Sequence, residues 1–326
     1  MAVLLFIVIE VVLLPVTLLG AVWHWAKLML TRRRLGSSST AYEVLLVRWT
    51  LHATGAREDD ACKRLLFALP AISPAALWLM TGPTLLAARL SGYRPPRLDY
   101  PPARPTMAVQ IVPQRTDFFD RTLRDHAGAL RQLVILGAGW DTRAYNLPAY
   151  SLPEGAGVSV FEVDTPEMVA LKQAALQDAG IDAAHVTFVG VDFNEEPWLE
   201  GLERQGFDPA LPSFFLWEGV VYYLDDEAVH ATLAAIGSLA SGSIVAFDYA
   251  SREMVEGAGS LAFRMGKKSL EAIGEPLRFG ISTRPPAREQ VADLLAAHGL
   301  ELERYEAWGD ESGDRLPLGG MVAAVS

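Results

Sequence analysis

This chain of 326 residues has one cysteine, no cluster of histidines and no excess of basic residues. Cys62 is its single cysteine, which excludes a disulfide framework and a thiolate metal site. The six histidines show neither i,i+4 pairing nor an HExxH pattern, so we expect no metal. Acidic residues outnumber basic ones by 39 to 28, giving a formal charge of −11. Nucleic acid is not an expected partner, because phosphate binding needs a basic surface.

The chain begins with a long apolar run. Residues 1–30 are strongly apolar, and the stretch 2–25 is long enough to span a bilayer. Arginines follow at 32–34, and the positive-inside rule places that end in the cytoplasm. No basic segment precedes the run, so we do not expect a cleaved signal peptide. We predict an uncleaved membrane anchor. The alternative, which Glu10 and Pro15 permit, is a helix that packs into the fold or lies on the membrane surface.

Prolines indicate where helices break and where a connector lies in the next segment. Residues 65–90 are again very apolar but contain three prolines, which predicts helical pieces that cover a site or rest on the membrane. Five prolines between 94 and 105 predict a stiff connector. The predicted parts are an N-terminal helix and linker (1–36), a helical cap (37–106), and a catalytic domain (107–326) with an inserted lid at about 251–285.

Apolar runs and helical patterns alternate beyond residue 107, which is typical of a mostly parallel sheet with helices on both faces. This pattern predicts an α/β domain of Rossmann-like type. The predicted strands are 132–137, 158–164, 186–192, 213–218, 243–249, 301–307 and 320–325. Ligands bind to such sheets at the carboxyl ends of the strands, so the candidate site residues are those at the ends of the predicted strands.

The first predicted strand ends in a glycine turn. Gly137 and Gly139 allow a sharp turn and let a ligand lie against bare main chain. The second strand ends in Asp164, a carboxylate placed to bind the hydroxyls of a ribose. Thr142 replaces the third glycine of the dinucleotide fingerprint, and Asp164 follows Gly137 by 27 residues rather than about 20. These departures favour S-adenosyl-L-methionine (SAM) over NAD or FAD as the cofactor.

Two further strands end in candidate ligand-binding residues. The third strand ends in Asp192 and Phe193, where an acid can accept from the adenine amino group and an aromatic ring can pack on the base. The alternative is an ordinary strand-end cap. Glu218 ends the fourth strand after a run of apolar and aromatic residues. A carboxylate buried there without a partner is costly, so Glu218 is suited to a ligand ammonium.

Arg115 and Tyr223 complete the candidate set. Arg115 could bind a ligand carboxylate through two parallel hydrogen bonds. The alternative is an exposed arginine on a helix face, paired with Asp117 or Asp120. Tyr223, our only candidate for a catalytic residue, could line the methyl-transfer pocket together with Tyr222, or both tyrosines could belong simply to the core.

Four segments together resemble one family. GAGWDTRAY, FEVD, VGVDF and LWEGVVYYL are similar to motifs of the leucine carboxyl methyltransferase family, within the class I SAM-dependent methyltransferases. The resemblance is close over residues 107–250. It implies a seven-stranded sheet with one antiparallel strand near the C-terminus, for which 320–325 is the candidate. The resemblance also implies these contacts: Arg115 with the methionine carboxylate, Gly137 and Glu218 with the methionine end, Asp164 with the ribose, and Asp192 and Phe193 with adenine.

The expected function is therefore SAM-dependent O-methylation. A carboxylate acceptor is ionised at neutral pH and needs no general base, which agrees with the lack of an evident His–acid pair. The apolar N-terminus and cap favour a small or lipophilic acceptor and a location at the cytoplasmic face of a membrane. The alternatives are methylation of a protein C-terminal carboxylate, a membrane-tethered SAM-binding protein without turnover, and a soluble cytoplasmic protein.

Overall fold

The predicted glycine turn follows the carboxyl end of a strand inside a seven-stranded sheet. The computed structural model describes residues 1–31, 39–102, 110–152, 157–193, 197–257, 264, 267, 268, 270, 271, 274–308 and 316–326. Its strands are β1 (Gln132–Leu136), β2 (Ser159–Asp164), β3 (Val186–Gly190), β4 (Ser213–Trp217), β5 (Ile244–Ala250), β6 (Glu301–Ala307) and β7 (Gly319–Val325).

The strand order, β3-β2-β1-β4-β5-β7-β6, is that of a doubly wound sheet. Neighbours among β1 to β5 pair in parallel, whereas β7 runs antiparallel to both β5 and β6. The predicted fold class and the antiparallel position of the last strand are thus confirmed. The order of strands reverses between β1 and β4, and such a switch point opens a crevice for ligands at the carboxyl ends of the strands.

Helices cover both faces of the sheet. Those that follow the cap are α5 (Ile111–His126), α6 (Pro166–Asp178), α7 (Trp198–Glu203), α8 (Asp226–Gly237), α9 (Arg252–Val255) and α10 (Ala287–Ala296). Local sequence explains the start of α6, since Pro166 occupies the first turn and the Thr165 hydroxyl accepts from the Met168 N–H. This cap fixes the helix directly after the acid that ends β2.

Apolar side chains on the two faces of the strands form two separate cores. All five residues of β1 are buried, because helices pack on both sides of it. Phe215 belongs to one core and Phe214 to the other, as the alternation of side chains along a strand requires. Burial of each such side chain contributes roughly 1.5–3 kcal/mol. The resulting sheet is a rigid support for the residues at its carboxyl edge.

Four helices precede the sheet: α1 (Ala2–Thr31), α2 (Ser39–Ala53), α3 (Asp60–Ala68) and α4 (Pro74–Ser91). The predicted helical pieces of the cap are α3 and α4; Pro83 lies inside α4 and does not end it. Helix α1 lies antiparallel along α4, with Phe6 near Tyr93 at one end and Lys27 bonded to the Ile72 carbonyl at the other. It is therefore a docked helix and not a free one.

Most of α1 is nevertheless exposed. Only 6% of its most apolar stretch is buried, and in the described part of the chain it is the one helix long and apolar enough to cross a membrane. The arginines at 32–34, most of the linker that follows, and the predicted connector from residue 103 onward lie outside the described residues, as does much of 258–273 within the predicted lid. The division into three parts stays a prediction.

Candidate functional site

A cavity of about 870 Å³ lies at the carboxyl ends of β1, β2 and β4. Its size is typical of a cofactor or drug-sized ligand site. All eight residues predicted from the sequence line it: Arg115, Gly137, Gly139, Asp164, Asp192, Phe193, Glu218 and Tyr223. Tertiary structure thus brings together side chains that are separated by more than a hundred residues in the chain.

The glycine turn presents main chain to this cavity. Gly137 and Gly139 have φ angles of +65° and +40°, which favour glycine. A Cβ on Gly137 would also collide with the Val220 side chain. The N–H groups of Gly137 and Ala138 donate to the Val163 carbonyl at 2.8 and 3.1 Å, which ties the turn to the end of β2. A larger residue at position 137 would close the approach to the backbone.

Asp164 is held by two backbone groups. Its Oδ2 accepts from the Gly139 N–H at 2.7 Å, and its Oδ1 accepts from the Thr165 N–H at 2.8 Å. Burial raises the pKa of this carboxyl, and the two N–H donors oppose that rise. The carboxylate is therefore fixed in orientation between the glycine turn and the start of α6, and it still faces the cavity.

Glu218 lies in a cage of guanidinium groups. Its Oε2 accepts from Arg48 and Arg143, each at 2.7 Å, and its Oε1 accepts from Arg115 at 2.9 Å. Burial raises the pKa of Glu218, but the charges of Arg48, Arg143 and Arg115 outweigh burial and lower it to about 2. A ligand ammonium would therefore share this carboxylate with three arginines, which the sequence did not indicate.

Arg115 is buried, so the alternative of an exposed arginine is wrong. Its partners are Glu218, the Tyr222 hydroxyl at 3.2 Å and Asp248 at 3.4 Å. Asp117 pairs instead with Arg121. Asp248 is fully buried, and its other oxygen accepts from the Gly219 N–H at 2.6 Å. Burial raises the pKa of Asp248 to about 6 against the opposing charge of Arg115.

Asp120, the other suggested partner of Arg115, belongs to a deeper part of the same charge network. It accepts from Arg57 at 2.8 Å and from Arg143 at 2.7 Å. Arg57 also pairs with Asp59, whose Oδ2 accepts from the Thr142 hydroxyl. The network therefore runs from the start of α3 through α5 to the segment after the glycine turn.

Sequence reasoning missed several members of this network. Arg48 in α2 pairs with both Asp141 and Glu218, and it is almost fully buried. A usable signal was present, because Arg48 interrupts an apolar helical pattern and a charge in such a place requires a partner. Asp141 and Arg143 lie within the segment GAGWDTRAY, where their side chains carried no recognisable role.

The remaining predicted residues follow two different strands, β3 and β4. Asp192 and Phe193 follow Gly190, the last residue of β3, and the Phe193 ring packs 6.4 Å from that of Trp198. Tyr223 lies in a short 3₁₀ turn after β4, and its hydroxyl is 3.5 Å from Oε2 of Glu275. Strands β2 and β1 lie between β3 and β4 in the sheet, so these residues come from separate strand ends.

The model of the family described as leucine carboxyl methyltransferase matches residues 58–237, just over half of the chain. The chain belongs to this family. A Streptomyces coelicolor protein named as a SAM-dependent methyltransferase is 38% identical over 237 residues, which cover 68% of this chain and 76% of that protein. A similarly named Streptomyces avermitilis protein is 34% identical over 237 residues, with the same coverage of each chain.

A solved structure supports the fold. The crystal structure of a Thermobifida fusca protein covers 81% of this chain and 93% of its own length, with a TM-score of 0.50 and 18% identity. At that identity the likeness concerns the fold alone. Family membership makes the chain a SAM-dependent methyltransferase, which confirms the predicted cofactor and the transfer of a methyl group.

The residues of the cavity fit this cofactor. Among the described residues that line the cavity, six are acidic and three are arginines, so the cavity has an excess of negative charge. SAM supplies a methyl group that is already activated on a positively charged sulfur, and an acidic cavity suits that charge. The glycine turn exposes main-chain groups to the cavity without covering them by side chains. Arg115 places a positive charge beside Glu218.

Proposed function

We propose that this methyltransferase transfers the methyl group of SAM to an oxygen atom of a small, lipophilic molecule. The observation that carries the proposal is a single cavity that joins the predicted cofactor residues to a wall of apolar side chains. Ile111, Met254, Leu270, Pro276 and Trp308 contribute to that wall. An apolar acceptor loses water there and comes to lie beside the cofactor, and alignment of the reacting atoms supplies much of the catalysis.

The proposed cofactor contacts follow the family resemblance. The fixed carboxylate of Asp164 binds the ribose hydroxyls, and Asp192 and Phe193 bind adenine. Gly137 and Gly139 offer their main chain to the methionine part. Arg115 binds the methionine carboxylate, and Glu218 binds the methionine ammonium. The adjacent opposite charges of Arg115 and Glu218 support this pairing, because an amino acid presents an ammonium and a carboxylate side by side.

The identity of the acceptor is tested with labelled cofactor. Protein incubated with methyl-labelled SAM and a small-molecule extract should produce labelled compounds that partition into organic solvent. Label found only in protein would favour the alternative of a C-terminal carboxylate. Tight SAM binding without any labelled product would favour a binding protein without turnover, and the proposed transfer reaction would be wrong.

We also propose that α1 attaches the protein to a membrane. The supporting observation is the exposure of side chains such as Leu4, Val11, Leu18 and Trp23 on a helix of 30 residues. Helix α4 adds the exposed ring of Trp78 to the same two-helix unit. Contiguous exposed apolar surface of this kind marks a membrane or partner contact. A cytoplasmic location of the catalytic part agrees with its cofactor.

Fractionation of cells tests the attachment. Replacement of Leu4, Val11 and Leu18 by glutamate should move the protein from the membrane pellet to the supernatant while SAM affinity stays unchanged. Leu211→Glu is a matched control, since Leu211 is exposed outside α1 and its change should leave the distribution as in the parent. Recovery of the parent protein in the supernatant without detergent or carbonate would reject membrane attachment.

A further inference from the structure

The part of the cavity around Tyr223 has a chemistry of its own. We call it the acceptor lobe and define it by Glu43, Tyr223, Leu270, Glu275 and Trp308. Glu43 comes from α2, and the other residues come from the catalytic part. The lobe combines apolar and aromatic surface with two carboxylates that belong to separate segments of the chain.

The arginines that line the cavity are each engaged by acidic partners. Arg48 pairs with Asp141 and Glu218, and Arg115 pairs with Glu218 and Asp248. Arg278 forms two hydrogen bonds with Asp225, at 3.0 and 3.1 Å. Among the residues that the structure describes, a carboxylate acceptor in the lobe would therefore meet two glutamates, whereas each lining arginine already has an acidic partner.

The charge of Glu275 acts on Glu43 across the lobe. The pKa of Glu43 is raised by partial burial and further by the negative charge of Glu275. Glu275 also accepts a hydrogen bond from the Tyr223 hydroxyl at 3.5 Å. Two like charges that line one cavity disfavour a third negative group there, and the effect grows as water is excluded.

From this arrangement we infer that the acceptor is a neutral hydroxyl compound, and that the Glu275 carboxylate takes the hydroxyl proton while Tyr223 orients that carboxylate. This inference rests on the proposed O-methyl transfer and narrows its substrate class. It replaces the sequence-based preference for a carboxylate, whose premise was that no general base stood out. Glu275 is a base that sequence spacing could not place, because 52 residues separate it from Tyr223.

The methyl-transfer reaction is balanced in atoms and charge by the acceptor, SAM and Glu275. The acceptor oxygen forms a bond to the methyl carbon, and the bond between that carbon and sulfur breaks with its electron pair passing to sulfur. The hydroxyl proton moves to Glu275 and then to water. The products are a methyl ether, S-adenosylhomocysteine and one proton, and no oxidant or metal is consumed. Proton removal by a positioned carboxylate contributes typically about 10²–10⁴-fold to such a rate.

Alkali treatment of the labelled products is the first test, because it does not require the natural acceptor to be known. Methyl esters release labelled methanol in mild base, whereas methyl ethers do not. We expect alkali-stable label. Release of most of the label as methanol would overturn the inference and leave the proposed O-methyl transfer intact. Failure of the protein to bind S-adenosylhomocysteine would instead reject the proposed function.

Binding of a matched pair of probes is the second test. Calorimetry on protein loaded with S-adenosylhomocysteine should show 2-naphthol binding at least about tenfold more tightly than 2-naphthoate, the scale of one screened charge repulsion. The double variant Glu43→Gln with Glu275→Gln should bring the two affinities together, and Glu203→Gln, an exposed change on α7, should preserve the difference. Preferred binding of naphthoate, or binding of neither probe, would overturn the inference.

Discussion

Glu218 accepts hydrogen bonds from three arginines, and only 4% of its side chain is exposed although it lines the cavity. Its surroundings make this proposed ligand contact a structural centre as well. Each neighbouring guanidinium also has another acidic partner, so the charges alternate through the site. Removal of one member leaves others buried without compensation.

We therefore expect Glu218→Gln to lower both SAM affinity and thermal stability. Stability should fall because breaking a buried ion pair costs about 3–5 kcal/mol. Calorimetry with SAM and a melting curve without it measure the two effects. Glu203→Gln is the control, and a variant with the parent's melting temperature would contradict the structural part.

Asp164 offers a cleaner test of cofactor binding. Its carboxylate is fixed by the N–H groups of Gly139 and Thr165, and it lies at the end of β2. Asp164→Ala should weaken SAM binding by about 1.5–3 kcal/mol, the scale of hydrogen bonds to a charged group. Titration calorimetry measures the change, with Asp178→Ala on the exposed side of α6 as control. Equal affinity in variant and parent would remove Asp164 from the site.

At the scale of elements, the charge network joins the cap to the sheet. Arg57 precedes α3, Asp120 lies in α5, and Arg143 follows the glycine turn. These contacts hold the cap over the carboxyl edge, where Arg48 of α2 reaches the cavity. The position of the cap is thus determined by buried charge pairs as well as by apolar packing.

Asp120→Asn should destabilise the protein by about 3–5 kcal/mol, because two buried guanidinium groups lose their charge partner. Asp125→Asn in the same helix is the control, since its side chain is exposed. Denaturant unfolding compares the two variants at neutral pH. A loss of stability no larger than that of the control would mean that the network does not join the cap to the sheet.

The same aspartate predicts a pH dependence. Despite its burial, Arg57 and Arg143 lower the pKa of Asp120 from 3.8 to about 2. A carboxyl with a lower pKa in the folded state adds stability above pH 3.8 and loses that contribution as the pH falls towards 2. The difference in unfolding free energy between the parent and Asp120→Asn should therefore shrink over that range. A difference that stays constant would contradict the pKa shift.

At the scale of the whole molecule, an exposed helix accompanies a complete methyltransferase sheet. Helix α1 contacts α4 closely, because Gly20 lies against the main chain of Leu79 and Met80. The cavity residues, however, begin with Ala41. The residues of the cavity and the proposed attachment surface on α1 are therefore separate in the chain, although α1 packs on α4.

Deletion of residues 1–31 should leave SAM affinity close to that of the full chain and remove the protein from the membrane fraction. The melting temperature should fall, because the face of α4 that α1 covers becomes exposed. Calorimetry on the soluble truncated protein measures the affinity. The parent chain kept in detergent is the control. Loss of SAM binding in a folded truncated protein would show that α1 supports the site.

The sequence by itself determined the order and type of the elements at the sheet. Strands buried on both faces read as apolar runs, glycines mark the turn after β1, and acids mark the strand ends, so Asp164 and Glu218 were found at their places. These signals are local: each depends on a few consecutive residues and on the period of a strand or helix.

Only the tertiary structure decided which side chains and helices contact one another. Arg48 meets Glu218 across 170 positions in the chain, and Tyr223 meets Glu275 in a segment without clear periodicity. The antiparallel packing of α1 on α4 was equally hidden, because an apolar helix fits a membrane, a core or another helix with the same composition. Pairing depends on how distant elements approach in space, and no local pattern of residues encodes that distance.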